Sequence, residues 1–432
     1  MNQKMRNLLI YTTAFFFTIT FLYLLLFLSA LIPNELITPN MQKSAEIYKT
    51  REAFEFNEKN VLNSVGDNYA DSILLGISYN MGRGNPFVST INTRYHKGDS
   101  IGENYGFYIT VTENAKPDTD YTRYFHGSAM IVRVLHILGD VNLVKNINFV
   151  IILLLIFLTI IILCRRKYYD IVLALILSLL MVKFYNIRLS IEYQSTFLIC
   201  FIMCPLYILF EKKSDVYIIS LSVIGGVATA FFDFLTTETI TILLPLMLIV
   251  SIRAKEERLF SYKEVFLFLI KCLVAWGIAY VGTFLLKWTV ASLVTGNNEF
   301  SLALSSVAER FGGKVLLKEK PKTIFSSVMA NFSMLVKSAK REYSNKALIC
   351  VLSFLMIIFS VWYLTKSKRK NKKVFILLIS LGVLPILRFF VLNNHSFLHC
   401  FFTYRALFVS VFAILMSAFL NMKNPFLRRA KR

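Results

Sequence analysis

Two aspartates four residues apart, Asp67 and Asp71, stand in the tyrosine-bearing stretch Asp67-Asn68-Tyr69-Ala70-Asp71. On a helix that spacing puts both carboxylates on one face. A carboxylate so placed can take the proton of an attacking hydroxyl, and Asp71 is the first candidate for that general base. The competing reading makes Asp71 the N-cap of the apolar run Ile73-Leu74-Leu75.

Cationic and protonatable residues gather in a few other places. Arg123 and His126 share the stretch Asp120 to His126, and Glu192 follows Arg188. Asp233 precedes Thr236, Thr237 and Glu238. Arg388, His395, His399 and Arg405 crowd into eighteen positions near the C-terminus. Arginine with histidine suits an anionic group, phosphate above all. Each candidate also has a structural reading. Asp233 can neutralise a buried arginine, Lys183 and Arg188 can snorkel to a membrane surface, and His126 can pack beside Tyr124 and Phe125. His395 and His399 have the spacing of half a metal site, the one hint of a divalent cation, but no third ligand is evident. No metal ligand set and no cofactor is therefore expected. Walker A, GxGxxG and GxSxG motifs do not occur.

The elements that must position these residues are apolar blocks. The 432-residue chain is 56% hydrophobic and 17% charged, against about 25% charged in an ordinary soluble domain. Its net charge of +22 sits in short clusters between those blocks, such as Arg165-Arg166-Lys167 and Lys366 to Lys373. That pattern anchors cytoplasmic loops and argues against nucleic acid as a partner. The six cysteines show neither CxxC nor Cys/His spacing, so they read as small apolar residues of helices. The Gly225-Gly226 pair reads as a close helix contact.

The blocks predict an all-α polytopic membrane protein of about ten spans, each about 20 residues long. They are placed near 8–32, 147–163, 169–187, 195–210, 217–234, 240–252, 265–286, 347–364, 374–390 and 406–420. The block 240–252 is short; it either extends back through Thr236 or breaks at the Thr-rich turn. With both termini in the cytoplasm, every dense basic cluster falls on one side, as the positive-inside rule requires. The first module covers 1–290 and includes a long extracytoplasmic loop, 34–145, with short helices. Within it Met41 to Val61 reads as helix and Gly82 to Lys97 as loop. A basic second outer loop covers 291–345, and 346–432 holds the last three spans and a basic tail.

A long acid-bearing first outer loop, many spans and late outer segments bearing arginine and histidine resemble the glycosyltransferase C superfamily. The segments Asp67 to Leu75, Arg123 to His126, Phe231 to Thr237 and Asn394 to Arg405 are similar to those of bacterial membrane proteins grouped near it. In that superfamily the acid usually lies close after the first span, whereas Asp71 lies well beyond it. The resemblance implies a multi-pass enzyme of the bacterial plasma membrane. It would move a sugar from a polyprenyl phosphate to a cell-surface glycan or lipid acceptor, with no nucleotide. Asp71, with Asp67 beside it, would be catalytic. Arg123, His126, Glu192, Asp233, Arg388, His395, His399 and Arg405 would bind substrate. Membrane lipids would be the other partners. Two alternatives remain: a polymerase or ligase of the O-antigen type, whose large basic outer loop lies late in the chain, and a flippase or transporter of lipid-linked sugars.

Overall fold

The computed structural model describes residues 2–97, 102–258, 261–311, 323–336, 369–421 and a few positions between 359 and 366. The chain is mostly helical. Among the described residues seven helices are long and apolar enough to cross a membrane. Large apolar side chains stand exposed on them, including Phe17 and Ile278, each 70% accessible. Water would penalise that surface and lipid does not, so the chain is a membrane-embedded protein.

Helix α1 spans Gln3–Ala30 and α2 spans Asn34–Lys49. Two short strands, β1 (Phe54–Phe56) and β2 (Val65–Asp67), pair antiparallel with Phe54 opposite Asp67. Then come α3 (Asn68–Asn80), α4 (Pro86–Ile91) and the strand β3 (Arg94–Tyr95). Helix α5 (Gly102–Thr112), strand β4 (Thr119–Asp120, paired with β3) and α6 (Ser128–Leu135) complete the first polar segment. The expected helix Met41 to Val61 is present only as far as Lys49. Beyond it the alternation Phe54-Glu55-Phe56 forms an edge against Val65-Gly66-Asp67 instead. The expected loop Gly82 to Lys97 contains α4, which Asn85 caps by accepting from the Phe87 and Val88 amides at 2.9 and 3.3 Å, with Pro86 at the first helical position.

Seven further helices follow: α7 (Val141–Arg165), α8 (Tyr169–Met181), α9 (Ile191–Phe210), α10 (Asp215–Phe232), α11 (Ile240–Lys255), α12 (Tyr262–Thr295) and α13 (Glu299–Phe311). Helix α14 covers Ser326–Ser333. Helices Arg369–Val391 and Leu407–Asn421 close the bundle, joined by short helical turns at Asn393–Leu398 and Cys400–Thr403. Two of the ten expected spans are short. Helix α8 has 13 residues and gives way to a 3-10 turn over Phe184–Leu189. Helix α11 has 16 and starts after the Thr-rich turn, where the block breaks. The expected span 347–364 lies almost wholly outside the described residues, as do the basic tail and much of the second basic loop.

Up-and-down connections bring the helix ends together in two groups. At one end Arg166 and Arg258 converge on the buried carboxylate of Glu211, at 3.3 and 2.6 Å, while Lys255 pairs with Asp170 and Arg253 lies 3.7 Å from Asp215. At the other end lie the first polar segment, α13, α14 and the turns 393–403. Helices α10 and α12 approach closely at Gly226, where an added Cβ would stand 2.4 Å from the carbonyl of Trp276.

Candidate functional site

A cavity of about 850 Å³ opens at the end of the bundle opposite the Glu211 cluster. Its walls come from β2 and α3, the stretch before α6, the start of α9, the end of α13 and the turns 393–403. Six expected residues line it: Asp67, Arg123, His126, Glu192, His395 and His399.

Asp67 ends β2 and caps α3, its Oδ1 accepting from the Ala70 amide at 2.8 Å. The cap of α3 is therefore Asp67, not Asp71. Burial pushes the Asp67 carboxyl up to about 7, opposed by the Ala70 amide and reinforced by the charge of Asp71. Glu192 enters from the first turn of α9 and is 93% buried; its Oε2 meets no hydrogen-bond donor among the described residues. Both carboxylates thus stand at helix N-termini, where the backbone field favours negative charge.

His126 lines the same cavity from a strained turn, its ring centroid 5.0 Å from that of Tyr121 and 5.1 Å from that of Phe234. Its φ is +55°, and the following Gly127 lies so close to Phe231 that an added Cβ would stand 2.3 Å from the ring. The Gly127 amide donates to the Phe231 carbonyl at 3.0 Å, which locks the turn to the end of α10. His126 Nε2 lies 2.9 Å from the Tyr121 carbonyl, so that nitrogen carries the proton and the Nδ1 lone pair has no partner among the described residues. Burial drives its pKa down to about 3, so the ring is neutral. His395 repeats the arrangement, with Nε2 2.8 Å from the Leu235 carbonyl and protonation suppressed by burial.

The opposite wall is cationic. The Arg123 guanidinium lies 4.3 Å above the Tyr121 ring, and its Nη1 donates to Ser306 Oγ at 3.2 Å. Arg310, from the last turn of α13, donates to the Tyr124 hydroxyl at 2.9 Å. Neither arginine has a carboxylate partner among the described residues. Aromatic rings complete the wall. Phe54, carried in by the β1–β2 pair, packs against Tyr69 and Phe401, with centroids 6.1 and 5.6 Å apart.

Four expected residues do not line the cavity. Asp71 is fully buried behind it, where Tyr48 and Ser190 hydroxyls, the Ile191 amide and Lys145 Nζ reach its oxygens within 2.7–2.9 Å. Both oxygens are occupied by these partners, which tie α3 to α2, to α7 and to the start of α9. Asp233 folds back on its own turn, accepting from the Leu235 and Thr236 amides and the Thr236 hydroxyl; burial raises its carboxyl to about 7. Arg388 forms a two-pronged pair with Glu238 at 2.7 and 3.1 Å. Arg405 is 1% exposed and lies over Tyr193 and Tyr404, 4.8 and 5.1 Å from their centroids, with no carboxylate partner among the described residues.

Sequence reasoning passed over Lys145, Arg310 and the aromatic lining. Lys145 carried a signal, a lysine in the second turn of a 25-residue apolar helix, at a depth where charge needs a partner. No group of three or more His, Cys, Asp or Glu side chains that could hold a metal ion occurs among the described residues. No family model, no curated protein and no solved structure matches the chain.

Proposed function

We propose that this chain is an integral membrane glycosyltransferase that moves a sugar from a polyprenyl-phosphate donor to an extracytoplasmic glycan or lipid acceptor. The observation that carries the reading is an aromatic-walled cavity lined by the buried carboxyls of Asp67 and Glu192 and by Arg123 and Arg310, neither of which has a carboxylate partner among the described residues. The basic clusters at the far end of the bundle mark that end as cytoplasmic by the positive-inside rule, so the cavity faces outward. An 850 Å³ space accepts a sugar phosphate while the lipid tail stays in the bilayer.

The chemistry assigns a role to each wall. An acceptor hydroxyl attacks the anomeric carbon, and its proton passes to Asp67 rather than to the enclosed Asp71. The bond from that carbon to the phosphate oxygen breaks, and the leaving polyprenyl phosphate keeps the electron pair. Arg123 and Arg310 stabilise that charge. A group titrating about 7 is well matched to proton transfer at neutral pH. His126 and His395 are neutral and act as hydrogen-bonding groups, not as phosphate-binding cations.

The test is release of polyprenyl phosphate from lipid-linked sugars by the purified protein in lipid nanodiscs. Turnover is expected with the intact chain, and a 100-fold or greater loss in Asp67→Asn, on the order expected for removal of a general base. Transbilayer movement of an intact lipid-linked sugar without release would favour the flippase reading. Release with transfer of a whole glycan would favour the polymerase or ligase.

A further inference from the structure

The acidic wall of the cavity holds acceptors and few donors. Glu192 Oε2 has no donor, and Glu192 forms no ion pair among the described residues. Asp67 has only the Ala70 amide. The cations of this region are engaged elsewhere. Lys145 pairs with Asp71 and donates to the Leu189 carbonyl at 2.9 Å. Arg123 and Arg310 belong to the opposite wall, and Arg405 lies over tyrosine rings without lining the cavity.

Buried polar atoms without partners are costly, and two enclosed carboxyls without a cation more so. A ligand that removes both costs must bring positive charge and several N–H donors to one point. We propose that the acidic wall formed by Asp67 and Glu192 recognises a protonated primary amine on the sugar, so that the substrate is an amino sugar. The inference rests on the sugar reading above. An ammonium brings one compact positive charge and three N–H donors, which suits two carboxylates with lone pairs to fill. A neutral hydroxyl supplies one donor and leaves the negative charge unbalanced. A divalent cation would balance the charge as well, but wants more oxygen ligands than two carboxylates.

The test compares four probes against the full chain in nanodiscs, with EDTA present, by saturation-transfer NMR and competition: glucosamine, N-acetylglucosamine, glucose and cyclohexylamine. Glucosamine is expected to bind at least about tenfold more tightly than the two neutral sugars, the size of one charge-assisted contact. Glu192→Gln, which keeps shape and removes charge, is expected to erase that preference while leaving glucose binding unchanged. If that variant melts early, Glu192→Asp, which keeps the charge and shortens its reach, serves the comparison through a weakened preference for glucosamine. Glucose or N-acetylglucosamine binding as tightly as glucosamine would overturn the amine site and leave the sugar reading standing. Cyclohexylamine matching glucosamine would keep the amine site and remove the sugar. Ca²⁺, added without EDTA, displacing glucosamine at micromolar concentration would make the wall a cation site instead.

Discussion

Lys145 Nζ lies 2.7 Å from Asp71 Oδ2, and both side chains are buried. The other Asp71 oxygen accepts from the backbone amide of Ile191, the first residue of α9. Asp71 therefore caps a helix 120 residues further along the chain, and the next residue of that helix is Glu192 in the cavity wall. One turn before Asp71, on the same helix, stands Asp67. The Lys145–Asp71 pair thereby sets the two cavity carboxylates beside one another without facing the cavity itself.

Removing one partner should leave the other as an uncompensated buried charge. Asp71→Ala or Lys145→Met is expected to cost about 3–5 kcal/mol, while Asp71→Asn with Lys145→Met should cost clearly less than the two single changes added. Thermal melting in detergent reads all of these. A stable but inactive Asp71→Asn protein would restore Asp71 as the base.

Asp67 makes a pH prediction with a definite sign. Its carboxyl is raised to about 7 in the folded chain, against an unfolded value near the ordinary 3.8. The folded state then binds more protons between pH 4 and 7, so this group costs stability as pH rises through that window. Asp67→Asn keeps an oxygen for the Ala70 cap and removes the titration. Relative to the parent, the variant should gain at least about 1 kcal/mol between pH 4.5 and 7.5, since each tenfold change in proton affinity is worth about 1.4 kcal/mol. A constant difference across that range would place the Asp67 carboxyl outside the window.

Arg133 predicts a purely structural loss. Its side chain is fully buried and donates to the Ser29, Ile32 and Ser78 carbonyls and to Asn34 Oδ1 at 2.5–3.1 Å. It ties the end of α1 to α3 and α6. Arg133→Ala would strand several buried carbonyls and is expected to lower stability by about 3 kcal/mol or more. Melting is again the readout, and a change below about 0.5 kcal/mol would contradict the clamp.

Helix positions were legible because lipid imposes long apolar runs. α1, α7, α10 and α12 stand where hydropathy places them, within a few residues at most ends and longer at α12. The two short helices were harder to read. α8 stops at a left-handed Lys183, and α11 is enclosed by other helices and need not span lipid to be apolar. Site residues were legible by type and not by partner. Arg388 and Arg123 look alike in the sequence, yet among the described residues one meets Glu238 and the other hydroxyls and rings. Asp67 and Asp71 were equivalent by spacing. The β1–β2 pair and a distant helix start separate them, and neither leaves a local mark.

Arg388, Arg405 and Arg123 should part company in a single experiment. Arg388 is committed to Glu238, so Arg388→Gln leaves a buried carboxylate unpaired and should lower stability by about 3–5 kcal/mol. Arg405 is a buried cation with no carboxylate partner among the described residues. Arg405→Met keeps most of its contact with Tyr193 and Tyr404 while removing an uncompensated charge, so the melting temperature should hold or rise. Arg123 faces the cavity through a hydroxyl and a ring that need no charge. Arg123→Gln should therefore melt as the parent does, yet bind polyprenyl phosphate about 10- to 100-fold more weakly, the loss expected for one hydrogen bond to a charged group. Melting curves with and without polyprenyl phosphate measure both properties on the same samples. Ligand stabilisation preserved in Arg123→Gln would remove that residue from the phosphate site, whatever the other two variants did. An early-melting Arg405→Met protein would mean that the guanidinium has an anionic partner after all.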